Sequence, residues 1–214
     1  MNIGCIVLAA GKSLRFGDRN KLLETLGDRR LMEWTLQAIP ADLFSDVAVV
    51  VSNPSVKETA APFGFSIAEY AGGSISDSIR RGLSEMPETT EGFLFVNADR
   101  PFLTEGTLRR MAECFEAHPD CAVRLFYRGV PSNPVLFPAG LRSALWELSG
   151  DEGGNRLIRE GLCKCLPVEA QFEFETFDAD TPEALDHLRD YRKNALLYPC
   201  CPIKNGGNRI VHDF

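Results

Sequence analysis

The sequence predicts a doubly wound α/β fold, in which helices cover both faces of a mostly parallel β-sheet in three layers. Short apolar segments, each the length of a strand, alternate along the chain with segments of helical periodicity. Two of them, residues 47–51 and 93–96, are apolar at every position, as expected of central strands covered on both faces. Ligands of such folds bind at the carboxyl ends of the strands, so residues that follow strands are the first candidates for function.

The predicted strands and helices follow one another in alternating order. The strands span residues 3–9, 47–51, 66–69, 93–97, 122–126 and 134–137, and the helices lie near residues 31–39, 74–85, 108–117 and 141–148. Thr104 is expected to cap the helix that follows it, with Glu105 placed to suit the helix dipole. Thr181 caps a last helix, which has Pro182 in its first turn.

The length and local composition predict one domain over residues 1–193. A chain of 214 residues is long enough to bury a sizeable core. Residues 127–165 are rich in Gly, Pro and Asn and are expected to form a small insertion on the acceptor side of a nucleotide site. Residues 194–214 have no clear periodicity and are expected to be a C-terminal tail.

The composition argues against several classes of protein. A formal charge of −7 disfavours nucleic-acid binding. The apolar runs are too short to span a membrane, and the run at residues 3–10 lacks the preceding cationic stretch of a signal peptide. Seven scattered cysteines indicate a reducing cytoplasm rather than a secreted disulfide framework. Their spacing, at Cys163 and Cys165 and again at Cys200 and Cys201, is not typical of a zinc site.

The stretch LAAGKSLRFG, residues 8–17, follows the first predicted strand. It contains Gly-Lys-Ser but is not a Walker A loop, because Ile6 stands where that motif has its first glycine. The small residues 9–11 allow another molecule to approach the backbone. Backbone amides with Ser13, Arg15 and Lys21 suit a polyphosphate. The alternative is a glycine-rich turn with solvated basic side chains.

Two carboxylates are predicted at the same sheet edge as this loop. Asp99 follows the buried strand at residues 93–97, and Asp178 and Asp180 follow a further strand predicted before the last helix. Carboxylates in this position suit Mg²⁺, which takes few protein ligands and completes its shell with water and phosphate. The alternative is that each aspartate caps a turn or a helix.

Four motifs, in order, resemble the MobA-like nucleotidyltransferases, and most closely their molybdenum cofactor cytidylyltransferase branch. The first motif comprises Leu8, Ala9, Ala10, Gly11, Ser13 and Arg15, with Asn-Lys-Leu-Leu at residues 20–23. The second is the glycine-serine segment at residues 72–76, which includes Gly73 and Ser74 and is followed by Ser78. The third is Asp99 before Arg100 and Pro101, and the fourth is Asp-x-Asp-Thr-Pro at residues 178–182. The similarity extends from residue 3 to near residue 190.

This resemblance implies the transfer of a nucleoside monophosphate from an NTP, here CTP, to a phosphate-ended acceptor, with release of pyrophosphate. Arg15, Lys21 and Asp99 would be catalytic, and Asp99 and Asp180 would hold Mg²⁺. The residues of the first two motifs would bind the nucleotide. The implied acceptor is the molybdopterin form of the molybdenum cofactor, and a molybdoenzyme is the implied partner.

The chain departs from the family pattern on the acceptor side. Where the family has Gly-His-Pro-Val, residues 132–135 read Ser-Asn-Pro-Val, which makes Asn133 an acceptor-binding candidate. Asp151 is a second acceptor-binding candidate, because it lies in a segment like the family's Gly-Asp-x-Gly-x-Arg, with one extra residue. Two alternatives therefore stay open: a cytidylyltransferase for a sugar or isoprenoid phosphate, and a non-catalytic protein that binds a nucleotide or cofactor for a partner enzyme.

Overall fold

The computed structural model describes residues 1–197, with side chains described through residue 193. Its strands are β1 (Ile3–Ala9), β2 (Thr25–Leu26), β3 (Arg29–Arg30), β4 (Asp46–Val51), β5 (Ser66–Glu69), β6 (Gly92–Asn97), β7 (Ala122–Tyr127), β8 (Val130–Pro138) and β9 (Cys165–Glu169). Its helices are α1 (Leu31–Gln37), α2 (Pro54–Ala60), α3 (Ile75–Leu83), α4 (Glu105–Ala117), α5 (Arg142–Trp146), α6 (Asn155–Arg159) and α7 (Pro182–Leu197). The last helix extends into the segment predicted to be a tail.

Seven strands form one sheet in the order β5-β4-β1-β6-β8-β7-β9. The first four are parallel, β8 is antiparallel to both of its neighbours, and β7 and β9 are parallel. The predicted doubly wound, mostly parallel sheet is thus confirmed. Part of the segment 127–165 lies within this sheet, because β8 is inserted between β6 and β7. The turn at Arg128 and Gly129, both with positive φ, joins β7 to β8 as a tight hairpin.

The sheet separates two apolar cores, and alternation along the central strand β1 supplies both. Ile3, Cys5, Val7 and Ala9 face one core, whereas Ile6 faces the other. The second core lies between the sheet and α3, which approaches closely because Gly82 faces Ile6. A Cβ at position 82 would lie 2.3 Å from Cγ2 of Ile6. Small residues therefore set the distance between α3 and the sheet.

The predicted caps are present. The Thr104 hydroxyl accepts a hydrogen bond from the Thr107 amide at 3.2 Å, and the Thr181 hydroxyl accepts one from the Ala184 amide at 3.1 Å. Helix α2 and the short β2–β3 sheet were absent from the sequence prediction.

The strand predicted before Asp178 is wrong. Residues Glu173–Thr176 form a short 3-10 helix instead, followed by a loop that leads to α7. The physical reason is Glu175, which is fully buried and accepts hydrogen bonds from the amides of Gln171 and Phe172. These bonds turn the chain back on itself where alternating apolar residues indicated an extended strand.

No helix within residues 1–197 is long and apolar enough to cross a lipid bilayer. The cysteines at positions 5, 114, 121, 163 and 165 are free thiols. Cys200, Cys201 and most of the predicted tail lie outside the described residues.

Candidate active site

The loop after β1 is held in a defined shape by its own hydrogen bonds. Ser13 adopts the left-handed conformation, with φ of 50°, and its carbonyl accepts a bond from the Phe16 amide at 2.8 Å. The Ser13 hydroxyl accepts a bond from the Lys21 amide at 3.2 Å. Phe16 is buried and anchors the middle of the loop. The loop therefore presents Arg15 outward and Lys21 toward the sheet edge.

Lys21 joins the two predicted carboxylates. Its Nζ donates to Oδ2 of Asp99 at 2.5 Å and to Oδ1 of Asp180 at 2.7 Å. Arg15 Nη1 lies 3.3 Å from Oδ2 of Asp180. Asp99 is buried, whereas Asp180 is exposed. The loop after β1, the end of β6 and the segment before α7 thus meet at one point.

These contacts shift the proton affinities of the groups involved. Burial alone would lower the pKa of Lys21, but the charges and hydrogen bonds of Asp99 and Asp180 outweigh it and raise the pKa. The hydrogen bond from Lys21 lowers the pKa of Asp180. Burial raises the pKa of the nearby Asp178, although the charge of Arg100 opposes that effect. The salt-bridged cluster is therefore fully ionised near neutral pH at Lys21 and Asp180.

Thr35 of α1, which is fully buried, holds the turn that carries Asp99 in place. The Thr35 hydroxyl donates to the Ala98 carbonyl at 2.9 Å and accepts from the Arg100 amide at 3.1 Å. The Arg100 side chain then reaches the segment before α7, where it bonds to the Thr176 carbonyl and lies 3.1 Å from Asp178. Both carboxylate-bearing segments are therefore tied together independently of Lys21.

A cavity of about 490 Å³, here called the loop cavity, opens beside this cluster. The sequence-predicted residues that line it are Leu8, Ala10, Gly11, Ser13, Arg15, Lys21, Gly73, Ser74, Ser78, Asp99, Asp151 and Asp180. Ala9 instead packs into the core on the opposite face of β1, as the alternation of a strand requires.

The glycine-serine segment forms the start of α3 at the edge of the loop cavity. Ser74 caps the helix in a capping box, in which its amide donates to Oδ2 of Asp77 at 2.9 Å. The hydrogen bond from the Ser74 hydroxyl is the main cause that lowers the pKa of Asp77 to about 2. Ser78 is buried and bonds to the Tyr70 hydroxyl at 2.6 Å. Most amides of this helix start already have partners, and the Ser76 amide donates to the Gly150 carbonyl at 3.1 Å.

A second cavity of about 670 Å³, here called the hairpin cavity, adjoins the first. The two share the side chains of Leu8, Ile75 and Asn97. Asn133 lines the hairpin cavity and its Oδ1 accepts a bond from the Asn97 amide at 2.8 Å. Asp151, grouped with Asn133 by the sequence interpretation, lines the loop cavity instead.

The sequence analysis did not identify several residues that line the two cavities. Asn97 is the last residue of β6 and the shared wall of both cavities, and its position at a strand end could have identified it. Arg124 and Arg128 line the hairpin cavity, but they belong to a hairpin whose partner strand was only partly predicted. Their positions depend on long-range pairing that sequence periodicity does not reveal.

The acidic pair suits a hard divalent cation such as Mg²⁺. Oδ1 of Asp99 is buried and has no hydrogen-bond partner among the described residues, while Asp180 offers its exposed carboxylate beside it. Mg²⁺ commonly takes one or two carboxylates and completes its shell with water and phosphate. Within the described part of the chain, no cluster of three or more His, Cys, Asp or Glu side chains is suited to hold a metal. The pair therefore fits a cation that arrives with a polyphosphate.

The sheet topology, together with two adjoining cavities at its carboxyl edge, places the protein in the nucleotidyltransferase class of α/β folds. More particularly, the chain belongs to the family of the MobA-like NTP transferase domain, whose family model matches residues 5–165.

Two curated proteins and one solved structure illustrate what this chain is similar to. The chain is 28% identical over 200 residues to the purine catabolism protein PucB of Bacillus subtilis, covering 86% of this chain and 94% of that protein. It is 31% identical over 118 residues to a 2-C-methyl-D-erythritol 4-phosphate cytidylyltransferase of Prochlorococcus marinus, covering 52% of each chain. A solved nucleotidyl transferase from Methanothermobacter has the same fold, with a TM-score of 0.78, 22% identity and coverage of 90% of this chain and 98% of that one.

Proposed function

We propose that this protein transfers a nucleoside monophosphate, CMP from CTP, to a phosphate-ended acceptor and releases pyrophosphate. The observation that carries the proposal is the meeting of Lys21, Asp99 and Asp180 in the loop cavity, which adjoins the hairpin cavity. The loop cavity is lined by a basic loop, which suits a triphosphate. The other has room for a second substrate next to it.

The proposed reaction does not need a general base from the protein. An oxygen of the acceptor phosphate is already ionised near neutral pH and attacks the α-phosphorus of the NTP. The bond between the α-phosphorus and the oxygen that bridges it to the β-phosphorus breaks. Pyrophosphate leaves with the electron pair of that bond. The protein must therefore position two anions and offset their repulsion. Arg15 and Lys21 would hold the triphosphate and the charge that develops on the leaving group.

Asp99 and Asp180 would hold Mg²⁺ in this proposal. The bound cation would supply charge neutralisation at the phosphates that react. The buried Oδ1 of Asp99, which has no partner among the described residues, is the atom that supports this assignment. Lys21 balances the same two carboxylates, so the lysine and the cation would compete for them.

The base and the acceptor are proposed from likeness. The first loop resembles the cytidine-selecting version, and the cytidylyltransferase relative agrees with CTP as the donor. Molybdopterin cofactor remains the proposed acceptor, with a molybdoenzyme as the eventual partner. The cytidylyltransferase relative, however, is named for a polyol phosphate, which favours a sugar or isoprenoid phosphate as the second candidate.

Thermal unfolding with each NTP and Mg²⁺ tests the nucleotide. We expect CTP to raise the melting temperature more than ATP, GTP or UTP, because a ligand that binds only the folded state stabilises it by mass action. Pyrophosphate release with CTP, Mg²⁺ and candidate acceptors tests the reaction. Stabilisation by CTP without turnover on any phosphate acceptor would favour the non-catalytic binding protein. The absence of stabilisation by every NTP would contradict both.

A further inference from the structure

Three arginines line the hairpin cavity, Arg100, Arg124 and Arg128, together with two carboxylates, Glu173 and Asp178. We propose that Arg124 and Arg128 bind a second anionic group of the acceptor, remote from the phosphate that reacts. This inference rests on the proposed function, because it assigns the acceptor to the hairpin cavity. The substrate class that follows is an acceptor with an anion at each end of its body.

Arg124 has the surroundings of a ligand-binding guanidinium. It is half-buried in the wall of the hairpin cavity, and its Nε donates to the Ser132 carbonyl at 2.8 Å. The Ser132 hydroxyl in turn accepts a bond from Arg100 at 3.2 Å, so two guanidinium groups flank one serine. Within residues 1–193, no carboxylate lies at ion-pairing distance from Arg124. A partly buried cation without a counter-ion is costly unless a ligand supplies one.

Arg128 adds a second guanidinium from the hairpin turn. The residue has a φ of 49°, a backbone conformation that residues other than glycine rarely adopt. Glu169 fixes this turn, since its carboxylate accepts a bond from the Arg128 amide at 3.0 Å. The guanidinium lies 5.2 Å from the ring centre of Tyr127 and has no carboxylate at ion-pairing distance among the described residues. The turn thus places Arg128, which is exposed, in the lining of the hairpin cavity.

The carboxylates of the hairpin cavity do not cancel this charge. Asp178 and Glu173 also line the cavity, but Asp178 is paired with Arg100 at 3.1 Å. Glu173 is exposed on the short 3-10 helix and is not at ion-pairing distance from either arginine of the proposal. The apolar side chains Phe95 and Phe137 form part of the wall. The cavity therefore suits a body of low polarity that ends in an anion.

The sheet sets the distance between the two anionic groups. The reacting phosphate must lie near the end of β6, beside Asp99, whereas Arg124 belongs to β7. Strand β8 separates the two, and neighbouring strands are about 4.8 Å apart, so the separation is on the order of 10 Å. Because this separation between the strands exceeds the width of one phosphate, we assign the two places to two anions on one molecule.

Binding of simple phosphates to the isolated protein tests this inference. The probes are hexanediol bisphosphate, which carries a phosphate at each end, and hexyl phosphate, which carries one, both titrated calorimetrically. We expect the wild type to prefer the bisphosphate by roughly tenfold or more, the contribution of a hydrogen bond to a charged group. Arg124→Gln and Arg128→Gln should each remove most of this preference, and Arg124→Lys should keep part of it. Thermal unfolding verifies that each variant is folded.

Two further variants make the result decisive. Arg109→Gln removes an exposed arginine that pairs with Asp42 and Glu105 away from both cavities, and it should leave the preference unchanged. Arg15→Gln reports whether the probe occupies the loop cavity instead. A preference lost in Arg15→Gln but kept in Arg124→Gln would overturn the assignment, as would equal or undetectable binding of both probes. Nucleotide binding is measured in a separate experiment. The proposed nucleotide site and the proposed anion site at Arg124 and Arg128 can therefore be contradicted independently.

Discussion

Lys21 bonds to Asp99 at 2.5 Å although 78 residues separate them in the chain. The same ammonium bonds to Asp180, which lies 159 residues further along. One lysine therefore balances two carboxylates drawn from distant segments. The surroundings match this role, since burial and two acidic neighbours act in opposite directions on its pKa and the acidic neighbours prevail.

Replacement of Lys21 by Met should abolish most activity. The methionine keeps the apolar stem but leaves two carboxylates facing each other and removes a positive charge from the triphosphate. We expect turnover to fall by about 10²–10³, the usual effect of losing one electrostatic contact to the transition state. Steady-state pyrophosphate release measures it. Lys21→Arg should retain part of the activity, whereas near-normal turnover of Lys21→Met would exclude the lysine from catalysis.

Asp99→Asn should keep the fold and lose the reaction. The amide nearly preserves the shape of the side chain, but it removes the charge that Lys21 and the proposed cation need. A fall of about 10²–10³ in turnover corresponds to several kcal/mol of transition-state stabilisation. Asp120→Asn is the matched control, because Asp120 is exposed and lines neither the loop cavity nor the hairpin cavity. Equal losses in both variants would argue against a special role for Asp99.

Local sequence signals located about half of this site. The strands β1 and β6 are strongly apolar and end at small or polar residues, so Gly11, Lys21 and Asp99 could be placed at one sheet edge from the sequence. The segment before Asp178 could not be predicted in the same way. Its alternating phenylalanines imitate a strand, whereas the bonds that Glu175 accepts, some of them from the distant hydroxyls of Thr104 and Thr107, turn the chain. The arginines of the hairpin cavity were missed for a related reason, because β8 pairs between strands that precede it in the chain.

Glu175 should contribute more to stability than its position in a short 3-10 helix suggests. Its Oε1 accepts bonds from two backbone amides, and its Oε2 accepts bonds from the hydroxyls of Thr104 and Thr107. Glu175→Ala leaves four donors, at buried or partly buried positions, without this acceptor, and we expect a loss of about 2–4 kcal/mol in the free energy of unfolding. Chemical denaturation measures it. The control is Glu173→Gln, on the exposed face of the same turn, which should change the free energy of unfolding by less than about 0.5 kcal/mol. Similar losses in both variants would show that the hydrogen bonds of Glu175 do not stabilise the fold.

The capping box of α3 should be visible in the titration of Asp77. Its pKa is lowered to about 2, first by the Ser74 hydroxyl, from an unfolded value of about 3.9. A depressed folded pKa contributes stability above the unfolded value, and that contribution disappears as the pH falls toward 2. Carboxyl NMR shifts should give the low pKa in the wild type and a higher one in Ser74→Ala. An unchanged Asp77 titration in that variant would show that another group depresses its pKa.

Two glycine-to-alanine substitutions should change the free energy of unfolding in opposite directions. At Gly82, in α3, a new Cβ would lie 2.3 Å from Cγ2 of Ile6 and 3.2 Å from Cγ2 of Val50, so the helix must move away from the sheet. Overpacking costs about 1–3 kcal/mol, whereas the gain in helix propensity is about 1 kcal/mol, and the net effect should be destabilising. At Gly106, exposed on α4, the nearest atom outside the adjacent backbone is 3.9 Å away, so only the propensity gain remains. We expect Gly106→Ala to add about 0.5–1 kcal/mol to the free energy of unfolding. Urea denaturation of the pair at one pH compares them directly, and a stabilising Gly82→Ala would mean that α3 is free to shift without cost.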